Sequence, residues 1–475
     1  MRTLSIRFLP SAAVIALALA ACQGPSSNTA SLPLAANAAP QSGVPTRFVE
    51  HRVRRSTSGG ETLQWWFQNQ AGVPQYPGGQ VALDSFGNVY GTTYGVQGSQ
   101  SGAVYQFTPG LNPQLTVIYS EYGPGLLPQT GVTMGPEGSI YFTFQAGGTG
   151  SCLSFEGCGA LEKLKASRWT PVTLHSFDGA DGDDPSGPPL VLNGTIYGVA
   201  YGGGSNNDGV AYSVSDTGTS YTIIHQFNNA NAGPQGPLVA DSSGVLYGTT
   251  EFGGSTSCGC GEVFKLTPSG STYTFSVVYK FNGTATGDGA NPVTGVTLYE
   301  GRIYGTTAAG GSSDCPSYAS LAAGCGTIFE ITPDVTINGY SETVLRELDP
   351  VNSDVRKSPS GLTLGAGGVF FGTTATGGNC TDSDFPNGCG SIFSITGGGT
   401  FTKLYQFQGP PTDGANPLTL NLSPGAAGAG VAVDSSGTLW GATRFGCYCS
   451  NKQGWGTIYS FSGSGSGGSA RRHHH

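Results

Sequence analysis

Charged side chains are scarce in this chain of 475 residues, of which only 10% are Asp, Glu, Lys or Arg. The formal net charge is −9, and no basic stripe runs along the sequence. A surface that neutralises nucleic-acid phosphates needs clustered Lys and Arg. The composition therefore argues against a nucleic-acid partner.

Histidine is also rare, and only His51, His175 and His225 lie outside the C-terminal His run. A Ser-His-Asp triad or a His-rich metal centre would have to use these three, and no Gly-x-Ser-x-Gly elbow is present. His175 and His225 occupy a recurring strand position that elsewhere holds Trp or Tyr, which indicates packing. Histidine-based enzymes are therefore disfavoured, whereas a glycosidase with a carboxylate pair needs no histidine.

The apolar run from Ala12 to Ala21 is too short to span a bilayer as a mature helix, and it follows two arginines as in a secretory signal peptide. It ends in Leu19-Ala20-Ala21-Cys22. This segment resembles the lipobox of bacterial lipoproteins, which implies lipidation at Cys22. An ordinary secretory peptide is the alternative. We expect an exported protein of the bacterial cell envelope, anchored to a membrane through acyl chains on Cys22.

Gly and Pro are abundant, with 79 and 29 residues, as expected for many short strands joined by tight turns. An aromatic residue followed by Gly or Phe and small β-formers recurs seven times, starting at Tyr90, Tyr141, Tyr197, Tyr247, Tyr304, Phe371 and Trp440. Successive starts lie 51, 56, 50, 57, 67 and 69 residues apart. Such a period indicates one supersecondary unit repeated in a propeller or solenoid.

Each unit contains four strand signals, as the fourth unit illustrates. Apolar residues alternate over Pro237 to Ala240, Val245 to Thr250, Gly261 to Leu266 and Thr274 to Phe281. Seven such units predict an all-β fold, a seven-bladed β-propeller with four-stranded antiparallel blades. The last unit lacks a fourth strand, and Leu63 to Phe67 matches the missing one. We therefore predict that the N-terminal strand closes the last blade, which removes open sheet edges.

The repeat resembles that of the GloVer tandem-repeat proteins, which combine Asp-Gly-Ala-x-Pro, Leu-Tyr-Gly-Thr-Thr and Gly-Thr-Val-Phe-x-Leu. The nearest passages here are Phe281 to Pro292, Tyr304 to Thr307 and Gly326 to Ile331. The resemblance implies a propeller-like fold on a varying envelope anchor, and it implies no activity. The predicted organisation is a signal peptide at 1–21, a flexible tether at 22–61, the propeller at 62–462, and a Gly/Ser linker with part of a tag at 463–475.

Eleven cysteines are present, and all except Cys22 fall in local pairs within loops between second and third strands. The pairs are Cys152 with Cys158, Cys258 with Cys260, Cys315 with Cys325, Cys380 with Cys389, and Cys447 with Cys449. An even count, local pairing and an export signal predict disulfides. Metal binding and redox chemistry are the alternatives, and the two Cys-x-Cys pairs would form strained rings that are more easily reduced.

Acidic residues recur in the connections between units. Asp288 and Asp413 begin Asp-Gly-Ala-Asn-Pro segments, in which Asp and Asn side chains close Asx-turns. The connection after the second unit holds more carboxylates than a turn needs: Asp178, Asp181, Asp183 and Asp184. Oxygen-rich clusters of this kind can hold calcium, so a calcium site is the alternative to a structural turn. No other cofactor is expected.

Loops between second and third strands emerge on the same propeller face as the connections between units. Binding residues are often found on such loops, and the candidate aromatic side chains are Phe155, Tyr318, Phe385 and Tyr448. We predict a monomeric, envelope-tethered binding module for an extracellular glycan or a protein partner. The alternatives are a polysaccharide-degrading enzyme, a glycosidase or lyase that uses carboxylates near the channel, and a structural envelope component.

Overall fold

Short antiparallel strands account for nearly all of the regular structure in the computed structural model of the chain. It describes residues 60–68, 74–96, 102–120, 128, 130–152, 157–254, 258–315, 322–337, 339–349, 359–378, 380, 385, 388–410, 413–417, 430–446 and 454–462, with the backbone of 46–49, 55–56 and 356–358. Helical structure in these residues is limited to the 3-10 turns Pro136–Gly138, Thr284–Thr286 and Ala366–Gly368. None of the described helices is long and apolar enough to cross a membrane.

The first four blades each contain four antiparallel strands, which follow one another along the chain from first to fourth. Blade 1 contains Pro74–Leu83, Val89–Val96, Ala103–Thr108 and Gln114–Ser120. Blade 2 contains Thr133–Met134, Ile140–Phe144, Ala160–Lys165 and Thr170–Ser176. Blade 3 contains Asp183–Leu192, Thr195–Gly202, Val210–Ser215 and Tyr221–Gln226. Blade 4 contains Pro234–Ala240, Leu246–Thr250, Glu262–Ser269 and Thr272–Lys280.

The last three blades follow the same order with small additions. Blade 5 contains Val296–Tyr299, Arg302–Thr307, Thr327–Asp334 and Gly339–Glu347, beside the short pair Gly289–Ala290 and Ala309–Gly310. Blade 6 has an interrupted first strand, Arg356–Pro359 and Thr363–Leu364, followed by Val369–Thr376, Ser391–Thr396 and Phe401–Gln406. Blade 7 contains Ala432–Val433, Leu439–Thr443, Thr457–Phe461 and, from the N-terminal part of the chain, Glu61–Trp66.

The seven first strands lie side by side around the axis, and the ring closes between blades 7 and 1. Threonine hydroxyls tie neighbouring first strands together. Thr133 Oγ1 donates to the carbonyl of Pro189 at 2.6 Å, and Thr363 Oγ1 donates to the carbonyl of Val431 at 2.6 Å. The predicted seven-bladed propeller is confirmed.

The N-terminal strand Glu61–Trp66 completes blade 7 by pairing with Thr457–Phe461. Its side chains Leu63 and Trp65 are buried, as is Phe67 just after it. The predicted closure of the last blade is therefore confirmed. We call Glu61–Trp66 the clasp strand.

Two further strands lie within the segment that the sequence predicted as a flexible tether. Thr46–Val49 pairs with Gln114–Ser120 at the outer edge of blade 1, and Arg55–Ser56 pairs with the clasp strand. Strands of four and two residues leave no periodic pattern in a sequence, which explains why they were missed.

The recurring aromatic-Gly motif makes room for an aromatic ring on the next strand. Gly248 lies opposite Phe264, and a Cβ added to Gly248 would be 2.6 Å from that ring. The other pairs of this kind are Gly91 with Tyr105, Gly198 with Tyr212, Gly305 with Phe329, Gly372 with Phe393, and Gly441 with Tyr459. In blade 2 the motif has Phe142 in place of Gly, and the residue opposite it is Glu162 in place of an aromatic residue. The space that the facing ring fills in the other blades is therefore available for the ring of Phe142.

The antiparallel order gives the propeller two different faces. Turns between first and second strands, such as 84–88, and between third and fourth strands, such as 109–113, form what we call the hairpin face. Loops between second and third strands, such as 203–209, and connections between blades, such as 177–182, form the loop face. Phe385 and four of the predicted disulfides belong to the loop face.

Candidate functional site

Four of the predicted disulfides hold loops of the loop face against the connection that leaves the same blade. The bonded pairs are Cys152–Cys158, Cys258–Cys260, Cys315–Cys325 and Cys380–Cys389. In blade 2, a Cβ at Gly179 of the connection would lie 3.0 Å from the sulfur of Cys152. In blade 6, Cys380 Sγ lies 3.5 Å from the carbonyl of Gln408. Cys447 and Cys449 lie outside the described residues.

The recurrent Asp residues close the connections between blades. Tyr279 Oη donates to Asp288 at 3.0 Å, and Tyr405 Oη donates to Asp413 at 2.8 Å. Asp288 and Asp413 also accept backbone N–H groups of their own turns. These two carboxylates therefore fill the structural role that their repetition suggested.

The same arrangement contains Asp181 and Asp178, two of the residues proposed for calcium. His175 Nε2 lies 2.8 Å from Asp181 Oδ2, while the carboxylate of Asp178 accepts the backbone N–H groups of Ala180 and Asp181. Burial raises the pKa of Asp181, but the hydrogen bonds from His175 and from the backbone of Asp178 outweigh it and hold the pKa below its usual value. Both carboxylates thus belong to a closed turn.

Asp183 and Asp184, the other two proposed calcium ligands, lie on the first strand of blade 3. In the described part of the chain, the one group of three candidate ligands within 4.8 Å of one another is Cys152, Cys158 and Asp183. The two sulfur atoms of that group are already joined in a disulfide. The structure does not gather the four Asp side chains into one such group, and the calcium site stays a prediction.

Asp183 and Asp184 instead form an acidic patch with Tyr201 and Glu251. Burial raises the pKa of Asp183 to about 6, and burial together with the charge of Asp183 raises that of Asp184 to about 7. Burial and the charge of Glu251 raise the pKa of Tyr201. Gln235 Nε2 donates to Glu251 Oε2 at 2.6 Å. Carboxyl groups that titrate near neutral pH on a loop face are candidates for acid–base work or for binding.

Asp184 occupies a recurring position, just before a proline at the start of a first strand, that we call the pre-proline position. Asp184 has φ of 55°, and the equivalent residues Tyr76, Asn291 and Asn416 have φ of 56°, 54° and 55°. Asn and Asp adopt this left-handed conformation more readily than other non-glycine residues. The amide of Asn291 links two loops, since it donates to the carbonyl of Glu251 at 3.1 Å and accepts the N–H of Ala322 at 2.9 Å.

Tyr76 at the pre-proline position of blade 1 belongs to an aromatic patch on the same face. Its ring centre lies 5.3 Å from that of Trp455 and 6.1 Å from that of Phe445. The ring of Phe385 lies 5.5 Å from Phe445, and the guanidinium of Arg444 lies 5.5 Å from the same ring. Trp455 is buried, while the other four side chains are half-buried. Partly exposed rings of this kind can stack on flat apolar faces of a ligand.

Phe385 is thus the one predicted aromatic residue that the structure places, and it lies in the aromatic patch. Phe155, Tyr318 and Tyr448 lie outside the described residues. Sequence reasoning missed Tyr76, whose available signal was a Tyr-Pro pair where other units have Asp-Pro or Asn-Pro.

A cavity of about 270 Å³ lies on the axis between the first strands. Its polar side chains are Gln80, Thr294, Thr297 and Thr363, and its remaining lining consists of Pro, Gly, Val and Leu residues. No titratable residue is among these described lining residues. The carboxylates of the acidic patch lie instead at the loop-face ends of strands.

These features define the class of the molecule: a seven-bladed β-propeller whose loop face is braced by disulfides. The disulfides indicate an oxidising, extracellular or periplasmic location. The chain belongs to the Gloeobacter/Verrucomicrobia repeat family, whose sequence model matches residues 76–318. No curated protein matches the chain.

Solved structures of several different proteins are similar to this one. An oligogalacturonate lyase in complex with manganese has a TM-score of 0.53 at 10% identity, over 88% of this chain and 97% of that chain. A hypothetical selenium-binding protein from Sulfolobus tokodaii has a TM-score of 0.45 at 11% identity, over 67% and 76%. A gluconolactonase from Xanthomonas campestris has a TM-score of 0.36 at 10% identity, over 68% and 89%. At 10% identity the likeness to the lyase shows the fold alone.

Proposed function

We propose that this protein is an envelope-tethered binding module, anchored through Cys22, whose loop face binds an extracellular glycan. The observation that carries the proposal is the aromatic patch on a braced face, with the half-buried rings of Tyr76, Phe385 and Phe445. A sugar ring presents an apolar face that stacks on such rings, and Arg444 can donate hydrogen bonds to its hydroxyl groups.

The disulfides of the loop face support a binding function, because they hold the loops in fixed positions. Each of the four disulfides joins residues in one loop, and the loop then contacts the connection of its own blade. Fixing a loop before the ligand arrives lowers the entropy that binding must remove. A braced face can therefore hold a glycan with few contacts.

The repeat offers a matched variant for testing the aromatic patch. Tyr76→Asn places at the pre-proline position of blade 1 the residue that stands there in blades 5 and 7, so the left-handed backbone is retained while the ring is lost. We expect the wild type to be retained on at least one member of a panel of bacterial and plant polysaccharides, and Tyr76→Asn to bind it at least about tenfold more weakly.

Tyr76→Asn should still fold, with a somewhat lower melting temperature because the lost ring packs on buried Trp455, and its intact fold separates lost binding from lost folding. Equal affinity of the two proteins for the same polysaccharide would remove the aromatic patch from the proposal. Retention of no polysaccharide at all would favour a protein partner or a structural envelope component.

The acidic patch favours one alternative, a glycosidase or lyase. Asp183 and Asp184 differ in environment, and groups that titrate near neutral pH can serve as proton donor and acceptor. Asp184→Asn is again matched, because Asn stands at this position in blades 5 and 7. Release of new reducing ends or unsaturated products by the wild type, and its loss in Asp184→Asn, would establish the enzyme.

The calcium proposal is tested with the same proteins. Calcium bound at Asp183 and Asp184 would raise the melting temperature of the wild type, because a ligand that binds only the folded state stabilises it. Asp184→Asn should abolish that rise. A melting temperature that is equal with calcium and with chelator would exclude the ion.

A further inference from the structure

The large apolar side chains that the described structure leaves exposed all lie on the hairpin face. Phe86 is 89% exposed and Leu111 93%, both in turns of blade 1, while Val335 is 93% exposed and Ile337 63%, both in one turn of blade 5. Single exposed apolar residues are common on protein surfaces. Four of them on one face, opposite the loop face, call for a physical reason.

The turns themselves do not need apolar residues. The backbone N–H of Phe86 donates to Asp84 Oδ1 at 2.9 Å. The same bond is made by Ser243 to Asp241 at 2.8 Å in blade 4 and by Ser436 to Asp434 at 2.9 Å in blade 7. Serine therefore closes this turn equally well, so the turn itself does not require the aromatic ring of Phe86.

The turn of blade 5 presents its apolar pair in a comparable way. Thr336 donates its backbone N–H to Asp334 Oδ1 at 2.8 Å and its hydroxyl to the same atom at 2.6 Å. These bonds hold the turn, and Val335 and Ile337 flank Thr336 with their side chains exposed. Blade 5 therefore presents a second exposed apolar group, Val335 and Ile337, in addition to Phe86 and Leu111 of blade 1.

These two exposed apolar groups, one in blade 1 and one in blade 5, are well separated around the ring. Three blades lie between blade 1 and blade 5 in one direction and two in the other. A pocket on a partner protein could accommodate one of these groups, whereas a flat apolar layer contacts both groups at once. The hairpin face carries exposed charges of both signs: Glu137 and Glu300 are acidic, and Lys165 and Arg168 are basic. The face therefore suits neutral rather than strongly charged headgroups.

We propose that the hairpin face docks on the bilayer to which the chain is anchored, with Phe86, Leu111, Val335 and Ile337 inserted at the headgroup boundary. This inference rests on the proposed anchor at Cys22. Cys22 lies 24 residues before Thr46 at the outer edge of blade 1, and a chain of that length cannot reach further than about 85 Å. The propeller is then close enough for its hairpin face to reach the membrane.

Four side chains would bind a membrane only weakly by themselves, so the anchor keeps the protein there and the side chains set its orientation. Docking by the hairpin face turns the loop face away from the membrane. The aromatic and acidic patches then face the surrounding medium, where an extracellular ligand would arrive.

The experiment uses the full-length lipidated protein in vesicles of phosphatidylcholine and phosphatidylethanolamine that contain lipids brominated in their acyl chains. Tryptophan is introduced singly by Phe86→Trp, by Val335→Trp, and by Asn229→Trp as the control. Asn229 is an exposed residue in the connection between blades 3 and 4, on the loop face. Bromine quenches tryptophan fluorescence only at close range. We expect at least twofold quenching of the added tryptophan at 86 and 335, and none at 229.

Flotation of the vesicles separates the possible failures. Protein that floats with the vesicles but shows no more quenching at 86 and 335 than at 229 would overturn the docking alone, and would assign the four side chains to a protein partner. Protein that does not float would contradict the anchor and the docking together. Phe86→Ser should melt at the wild-type temperature, since the turns of blades 4 and 7 already contain serine.

Discussion

At the scale of single residues, equivalent positions in different blades show which side chains the fold requires. The Gly of the aromatic-Gly motif has ordinary strand geometry and is needed for space, because a neighbouring ring lies where its Cβ would be. The pre-proline position is needed for its left-handed backbone, and it accepts Asn, Asp or Tyr. Where an equivalent position varies without changing the backbone, as at Tyr76 and Asp184, the variation is available for function.

Gly248→Ala tests the spatial role of the motif. The added Cβ would lie 2.6 Å from the ring of Phe264 and 2.8 Å from a methyl of Leu238, so both must move. We expect a loss of about 1–3 kcal/mol in the free energy of unfolding, as is usual for overpacking. Urea denaturation measures it.

Gly95→Ala is the control, since no atom lies within 4 Å of a Cβ added to Gly95 and its φ is not positive. It should be neutral or slightly stabilising, because Ala restricts the unfolded chain. Equal stability of the two variants would show that the space opposite Phe264 is not what selects Gly.

At the scale of elements, the clasp strand converts seven separate sheets into a closed ring. It pairs with Thr457–Phe461, it buries Leu63, and Trp65 and the following Phe67 pack in the core between blades 7 and 1. Without it, the third strand of blade 7 would present an unpaired edge. Strands that join residues far apart in sequence also close slowly, because the loop entropy must be lost first.

Deletion of residues 62–68 is expected to lower the melting temperature sharply. The deletion removes three large buried side chains, each worth about 2–5 kcal/mol in a core, and exposes an edge. Calorimetry measures the change. Deletion of residues 23–44, which precede the first described strand, should leave the melting temperature unchanged, and a comparable fall in both deletions would contradict the role of the clasp.

At the scale of the whole molecule, the blade interfaces contain the buried carboxyl group of Glu61 and the half-buried carboxyl group of Glu342, which make stability depend on pH. Burial, with the charge of Asp413, raises the pKa of Glu61 to about 9. Burial, with the charge of Asp288, raises the pKa of Glu342 to about 8. The folded state therefore holds both protons at neutral pH, whereas the unfolded chain releases them near pH 4.5.

The sign of the pH dependence follows from these pKa values. A raised pKa in the folded state contributes stability that is complete below about pH 4.5 and is lost progressively up to about pH 8 for Glu342 and pH 9 for Glu61. We expect the wild type to lose more stability between pH 5 and pH 9 than the variant Glu61→Gln/Glu342→Gln. Chemical denaturation at the two pH values measures the difference.

Glu137→Gln, at an exposed turn residue, supplies the control and should follow the wild type at both pH values. If the double variant also follows the wild type, these two carboxyl groups do not govern the alkaline loss of stability.

Several features of this protein were determined by the sequence alone. The period of the repeat predicted the number of blades, and the unmatched strand at Leu63 to Phe67 predicted the closure, because each depends on local patterns that can be counted. The local cysteine pairs predicted the four observed disulfides for the same reason. The recurrence of Asp288 and Asp413 correctly suggested a structural turn.

Only the tertiary structure decided which residues from different blades lie together. It separated Asp178 and Asp181, which close a turn, from Asp183 and Asp184, which join Tyr201 and Glu251. It also brought Tyr76 to Phe445 and Trp455, more than 360 residues further along the chain. A periodic pattern specifies strands and their order, whereas neighbours across a closed ring depend on the packing of blades, which no local pattern encodes.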